Sequence, residues 1–180
     1  MINIFLCGKS NDNSTSQALL SALQKYGGVQ YCSSERAVKL GSQKIKFLIY
    51  DCENLPNIEL EKGIILFKNS FTFTKKSLIP NTFLCVLEMK NTHALKMLEG
   101  TGKVAITYGT SAKDTLSIAG LNDANAIVSL QRNVITLDGK MLEPHDFTIN
   151  LLSNSSPSRI LAVCAVLLLS GQDSSQGFDI

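Results

Sequence analysis

No run of lysines or arginines interrupts this sequence, and the formal net charge is +2, from 17 Lys and Arg against 15 Asp and Glu. A nucleic-acid or membrane-surface face needs clustered positive charge, so neither partner is expected. The longest apolar stretch, Ile160 to Leu169, has ten residues, whereas a membrane-spanning helix needs about 20. The chain opens on a strand-like run and not on a leader pattern, so no signal peptide is expected. No two of the five cysteines, Cys7, Cys32, Cys52, Cys85 and Cys164, stand in Cys-x-x-Cys spacing, which argues against a zinc site. Cys7, Cys52, Cys85 and Cys164 sit in apolar runs, where cysteine behaves as a small buried hydrophobe. That usage fits a reducing, cytoplasmic compartment. There is no internal repeat.

What is present points to one domain, since 180 residues can bury a substantial core. We assign it to residues 1–171: a parallel α/β part over 1–109, an antiparallel meander over 110–152 and a closing helix over 157–171, with a tail at 172–180. Ile2–Cys7 reads as a buried parallel strand, apolar with little alternation. Ser16–Tyr26 reads as a helix with Ala18, Leu19, Ala22 and Leu23 on one face, Ser14 or Thr15 as its cap and Gly27-Gly28 at its end. Val29–Cys32, Ile45–Tyr50, Gly63–Phe67, Thr82–Leu87 and Lys103–Tyr108 read as further strands. Ser34–Leu40 reads as a brief helical turn, and Phe71–Pro80 as a polar connection. Thr92–Leu98 reads as a helix with Ala94, Leu95 and Leu98 inward. This alternation predicts a three-layer α/β fold on a mostly parallel sheet.

After Gly109 the pattern changes. Ala126–Leu130, Asn133–Leu137 and Phe147–Leu151 have strand character, Asp138-Gly139 is a hairpin turn, and no helical period intervenes. An antiparallel meander appended to the parallel sheet is expected. Ser153–Pro157 is a linker in which Ser156 suits an N-cap and Pro157 the first helical position. Ile160–Leu169 is apolar nearly all round, which predicts a helix buried on most sides. The polar tail from Gln172 is expected to fray up to Phe178.

The loop between the first strand and the first helix carries the functional argument. A phosphate-binding loop runs Gly, four residues, Gly-Lys, then Ser or Thr, directly after a strand. Counted from Gly8 the frame is kept, but it ends Asn13-Ser14-Thr15, without the second glycine or the lysine. That lysine neutralises the β- and γ-phosphates, and that glycine lets the backbone approach them. Asn13 tolerates positive φ better than most residues, so the turn itself is expected to survive. Hydroxyls and free amides at a helix N-terminus attract anions. Gly8, Lys9, Ser10, Asn13, Ser14 and Thr15 are therefore the candidate phosphate- or anion-binding residues.

Taking Gly8-Lys9-Ser10 as the end of the motif would put its first glycine at Asn3, inside the strand, and is rejected. Lys9 holds the place of the signature lysine in the deviant loops of ParA- and MinD-like ATPases, which also keep the second lysine. Asp51 follows an apolar strand as a Walker B carboxylate does, and with Thr15 it is the candidate metal pair. The plainer reading has it accepting loop amides. His93 and His145 lack a partner nucleophile and are expected in surface or cap roles. Arg132 is expected to pair with Glu143 or Asp146.

The order of parts resembles the central, ATP-binding domain of Mur ligases, relatives of folylpolyglutamate synthases. The resemblance is carried by Gly8–Thr15, by Ala105-Ile106-Thr107-Tyr108-Gly109, by the strands between Ala126 and Leu151, and by Leu161-Ala162-Val163-Cys164-Ala165-Val166. It implies a cytoplasmic domain of the kind that binds ATP and magnesium in enzymes joining amino acids to peptidoglycan precursors. The chain departs from that pattern. The family's Asn-x-Asp-Asp segment has Met89-Lys90-Asn91-Thr92 as its expected counterpart, no lysine is placed as a carbamylated metal ligand, and no flanking domains are expected within these 180 residues.

The leading expectation is thus a shortened, degenerate Mur-ligase-like domain that does not ligate and needs no cofactor. It would serve in binding or scaffolding, toward a small anion, a nucleotide or a protein partner. One alternative is an atypical nucleotide enzyme using Lys9 and Asp51 with ATP and magnesium, both residues lying on loops and so dispensable for stability. Another is a non-nucleotide α/β binding protein.

Overall fold

The computed structural model describes residues 1–153 and 155–180. Its spine is β1 (Ile2–Cys7), whose last four residues are all buried although they point alternately to opposite faces. Such a strand must be covered on both sides, which is the setting of a parallel sheet between helical layers. β1 pairs in parallel with β4 (Ile45–Cys52) on one side and β5 (Gly63–Phe67) on the other. β2 (Gly28–Cys32) joins β4 in parallel, while β6 (Phe83–Glu88) and β7 (Ala105–Gly109) extend the sheet from β5. The parallel core therefore runs β7-β6-β5-β1-β4-β2. All these strands end along one edge, where open α/β sheets bind their ligands.

The meander belongs to the same sheet. β8 (Leu116–Leu121) lies parallel to β7, and β9 (Asn125–Leu130) and β12 (His145–Asn150) continue antiparallel from it. Between those two, β10 (Val134–Ile135) and β11 (Met141–Leu142) form a separate small hairpin. Its turn is the expected Asp138-Gly139, with Gly139 at φ 84°, a left-handed conformation that glycine adopts without a steric penalty.

The helical turn expected over residues 34–40 is not found. Residues 37–40 form β3 (Ala37–Leu40), an antiparallel partner of β2 at the sheet edge, and not a helical turn. Val38 and Leu40 alternate inward along it, a period of two that four residues are too few to announce. Past the stretch expected to fray, the chain docks again. Phe178 and Asp179 form β13, parallel to β12. Phe178 is buried edge-on against Tyr26 and Phe147, with ring centroids 6.2 and 5.5 Å away. Of the linker, Asn154 lies outside the described residues.

Helices form the outer layers. α1 (Ser14–Leu23) and α3 (Pro157–Leu169) pack together on one face. α2 (Thr92–Leu98) covers the other, helped by Leu55, Ile58, Phe71 and Ile79 from the long connections. α2 turns Ala94, Met97 and Leu98 inward, whereas Leu95, expected inside, is at the surface. Every residue of α3 from Ile160 to Leu169 is buried. The sheet lies under it, α1 beside it, and the β10–β11 hairpin closes its end, with the Leu137 amide donating to the Leu169 carbonyl at 2.9 Å. Ser156 caps its start by accepting from the Arg159 amide. Among the described residues no helix is long and apolar enough to cross a membrane.

Candidate functional site

Asp51 in β4 and Lys68, the residue directly after β5, flank β1 and meet beneath the loop that leaves it. The Gly8 amide donates to the Cys52 carbonyl at 3.0 Å, and the Lys68 amide donates to the Cys7 carbonyl at 2.8 Å. This brackets the start of the loop between the ends of β4 and β5. The Lys68 Nζ lies 2.6 Å from Asp51 Oδ1, with the two side chains 0% and 4% exposed. Asp51 Oδ2 accepts the Ser16 hydroxyl at 2.5 Å and the Tyr31 hydroxyl at 2.9 Å. The same ammonium donates to the Asp12 backbone carbonyl at 3.0 Å. A buried ion pair is tolerable only when further hydrogen bonds satisfy both charges, and here three neighbours do so. Burial and the bond to Asp51 together raise the Tyr31 hydroxyl above its ordinary range.

This arrangement inverts the electrostatics of a phosphate loop. An anion site points backbone N–H groups inward, but this loop points the Asp12 carbonyl oxygen inward, at a cation. The Ser10 and Ser14 donors of the loop face carboxylates of the same chain. The Ser10 amide and hydroxyl both donate to Glu53, at 3.1 and 2.9 Å, and they hold the exposed Glu53 carboxyl below the usual range. The Ser14 hydroxyl donates to Asp12 Oδ1 at 3.1 Å, and Asp12 Oδ2 accepts the Ser70 hydroxyl at 2.6 Å. The Lys9 amide donates to Ser70 Oγ at 3.2 Å. Three carboxylates, Asp12, Asp51 and Glu53, thus lie at the loop together with Lys68 and Lys9.

The candidate residues fall out as follows. Gly8, Lys9, Ser10, Asn13, Ser14 and Thr15 do form a strand–loop–helix connection at the ligand edge of the sheet. Lys9, Ser10, Asn13 and Ser14 are exposed, and Thr15 is half-buried. Asn13 sits at φ −89°, ψ −5°, and makes no side-chain cap; among the described residues no non-glycine has positive φ. The expected left-handed turn at Asn13 is therefore absent, and helix α1 starts at Ser14 with Asn13 in the cap position. Asp51 is not on a loop: it is buried inside β4, one residue from its end. Its substitution would strip the partner from a buried lysine.

Gly8 is required for a different reason from the one its motif suggests. A Cβ there would lie 2.7 Å from Lys68 Cβ and 2.8 Å from Ser70 Oγ, closer than carbon atoms pack. Gly8→Ala is expected to cost about 1–3 kcal/mol of stability through this overlap, measured by urea unfolding. A change within about 0.5 kcal/mol would show that the loop is free to move off Lys68.

Lys68, Ser16, Tyr31 and Asp12 are the site residues that sequence reasoning missed. One signal for Lys68 was present: it directly follows Gly63–Phe67, a strand buried at every position, so its stem had no short path to water. Asn91, in the segment expected to correspond to the Mur-ligase acidic pair, donates to the Lys68 carbonyl at 2.8 Å and caps α2 through the Ala94 amide at 3.0 Å. The other candidates lie elsewhere. His93 Nδ1 accepts the Phe73 amide at 3.1 Å, and His145 bonds the Glu143 carbonyl and the Ser174 hydroxyl. Arg132 is exposed and pairs with neither Glu143 nor Asp146; Asp146 takes the Ser129 hydroxyl.

Beside the loop a cleft of about 760 Å³ opens, lined by Ser10, Tyr31, Ser33, Arg36, Glu53 and Asn54 among others. The Arg36 guanidinium stands 5.3 Å from the centre of the Tyr31 ring. The lining is polar and carries both signs of charge.

No protein-family model matches the chain, and no curated protein matches it in sequence. Solved structures do match its fold. MurF from Acinetobacter baumannii superposes with a TM-score of 0.58 at 10% identity, covering 97% of this chain and 44% of that one. Escherichia coli FolC in complex with DHPP and ADP gives 0.56 at 11% identity, covering 97% and 54%. MurF ligase from Thermotoga maritima in complex with ADP gives 0.53 at 11% identity, covering 97% and 46%. The chain has the Mur-ligase-like α/β fold and spans about half the length of these structures.

Proposed function

We propose that this Mur-ligase-like fold serves as a binding or scaffolding module whose phosphate loop is filled by its own charges. The observation that supports this is the Lys68 ammonium, buried between the Asp51 carboxylate and the Asp12 carbonyl. A magnesium–triphosphate would need Asp51 free for the metal shell and the loop amides free for phosphate. Asp51 has both oxygens engaged, and Glu53 holds the Ser10 donors. The cleft beside the loop is the surface left for a partner, which is a small polar molecule or a protein segment. A cell-wall-related role follows from the resemblance in fold alone.

Titration calorimetry with ATP and magnesium, paired with a phosphate-release assay, tests this reading. The expected result is no binding in the triphosphate mode and no turnover. Submillimolar affinity accompanied by hydrolysis would sink it, and would favour the reading in which Lys9 and Asp51 work on a nucleotide.

A further inference from the structure

Two thiols lie at the base of the same loop. Cys7 ends β1 and Cys52 ends β4, and the two are register partners on adjacent parallel strands. Side chains of paired residues point to the same face of a sheet. Here their sulfur atoms stand 3.8 Å apart. Adjacent strands lie about 4.8 Å apart, inside the Cα separation of roughly 4.4–6.8 Å that a disulfide spans. Side-chain rotation alone therefore brings the sulfurs together.

The two are not equivalent. Cys7 is fully buried, while Cys52 is half-buried and lines the cleft. Either sulfur can donate in this contact; with the Cys7 S–H donating, the Cys52 thiolate is favoured and its pKa lowered, while the same bond and burial raise that of Cys7. The remaining cysteines lack this pairing. Burial pushes the Cys85 thiol up to about 11 and pushes the Cys164 thiol far up as well. Cys32 has only a side-chain amide on its sulfur.

We propose that Cys52 and Cys7 form a peroxide-sensitive dithiol at the base of the loop, with Cys52 as the thiol oxidised first and Cys7 as the thiol that resolves it. The Cys52 thiolate attacks one oxygen of hydrogen peroxide, the O–O bond breaks, and hydroxide leaves, giving Cys52 sulfenic acid. The Cys7 sulfur then attacks Cys52 Sγ, the S–O bond breaks, and the departing hydroxide takes the Cys7 proton as water. Two thiols lose two electrons, and peroxide becomes two waters. A thiol reductant reverses the step by exchange. The disulfide ties the ends of β1 and β4 together beside Gly8 and Asp51, so it records the redox state next to the cleft. This inference stands on the thiol geometry and does not depend on whether the loop binds nucleotide.

Peptide mapping of the peroxide-treated wild-type protein tests it. Trypsin places Cys7 in the peptide 1–9 and Cys52 in the peptide 47–62, each with a single cysteine. The expected outcome is a monomer whose mass has fallen by two hydrogens, with 1–9 linked to 47–62 and the link lost on reduction. In Cys7→Ser, or Cys7→Ala should the serine variant not fold, Cys52 should accumulate as sulfenic acid or as a mixed disulfide with added glutathione. In Cys52→Ser, Cys7 should stay reduced. Links through Cys32 or Cys85 in preference, or oxidation of Cys52 past sulfenic acid in wild type with Cys7 still free, would overturn the proposal.

Discussion

Lys68→Met lowers the free energy of unfolding by about 3–5 kcal/mol, the range found when one partner of a buried ion pair is removed. The methionine keeps most of the stem volume, so the loss comes from Asp51, left charged in a site where its side chain is 4% exposed. Domains of this kind hold about 5–15 kcal/mol in total, so the loss is a sizeable fraction of the stability. The double variant Lys68→Met/Asp51→Leu separates charge from packing. It removes both charges and recovers part of the loss, with a coupling of about 0.5–3 kcal/mol in the cycle. Recovery is incomplete because the Ser16 and Tyr31 hydroxyls lose the oxygen they donate to. Urea unfolding of the four proteins measures this, and simple additivity would mean that the two side chains do not act as a pair.

Alanine at Leu161, Leu167 or Leu169 costs about 2–5 kcal/mol at each position. These residues sit at about 0°, 240° and 80° around helix α3 at 3.6 residues per turn, so they sample different faces, and all three are buried. An ordinary amphipathic helix would show at least one silent position. Ser21→Ala on the exposed side of α1 supplies the contrast, with an expected change within about 0.5 kcal/mol. If one of the three leucines proved silent, that face of α3 would not be packed as described.

The closing helix was legible in the sequence because its apolar run leaves no polar face, and burial all round is the one arrangement that suits it. The strands of the parallel core were legible for the same reason. The partners that close the site were not. Asp51 and Lys68 are brought together by the insertion of β1 between β4 and β5, a long-range ordering that no local period carries. Reading the loop forward from Gly8 drew attention to the lysine missing at Ser14 and away from one arriving at the end of another strand. β3 was missed because its pairing is tertiary: it is held by β2. Propensity for turn or coil yields to such contacts.

The central proposal is that the ammonium group of Lys68, bonded to Asp51 and to the Asp12 carbonyl, takes the interior of the loop. Nitrogen-15 NMR of lysine side chains, recorded without and then with ATP and magnesium, addresses that most directly. The account predicts one Lys68 ammonium signal protected from solvent exchange, absent in Lys68→Met and unmoved by the nucleotide. A Lys68 signal that exchanges freely with water, or one that shifts as ATP and magnesium are added, would contradict it.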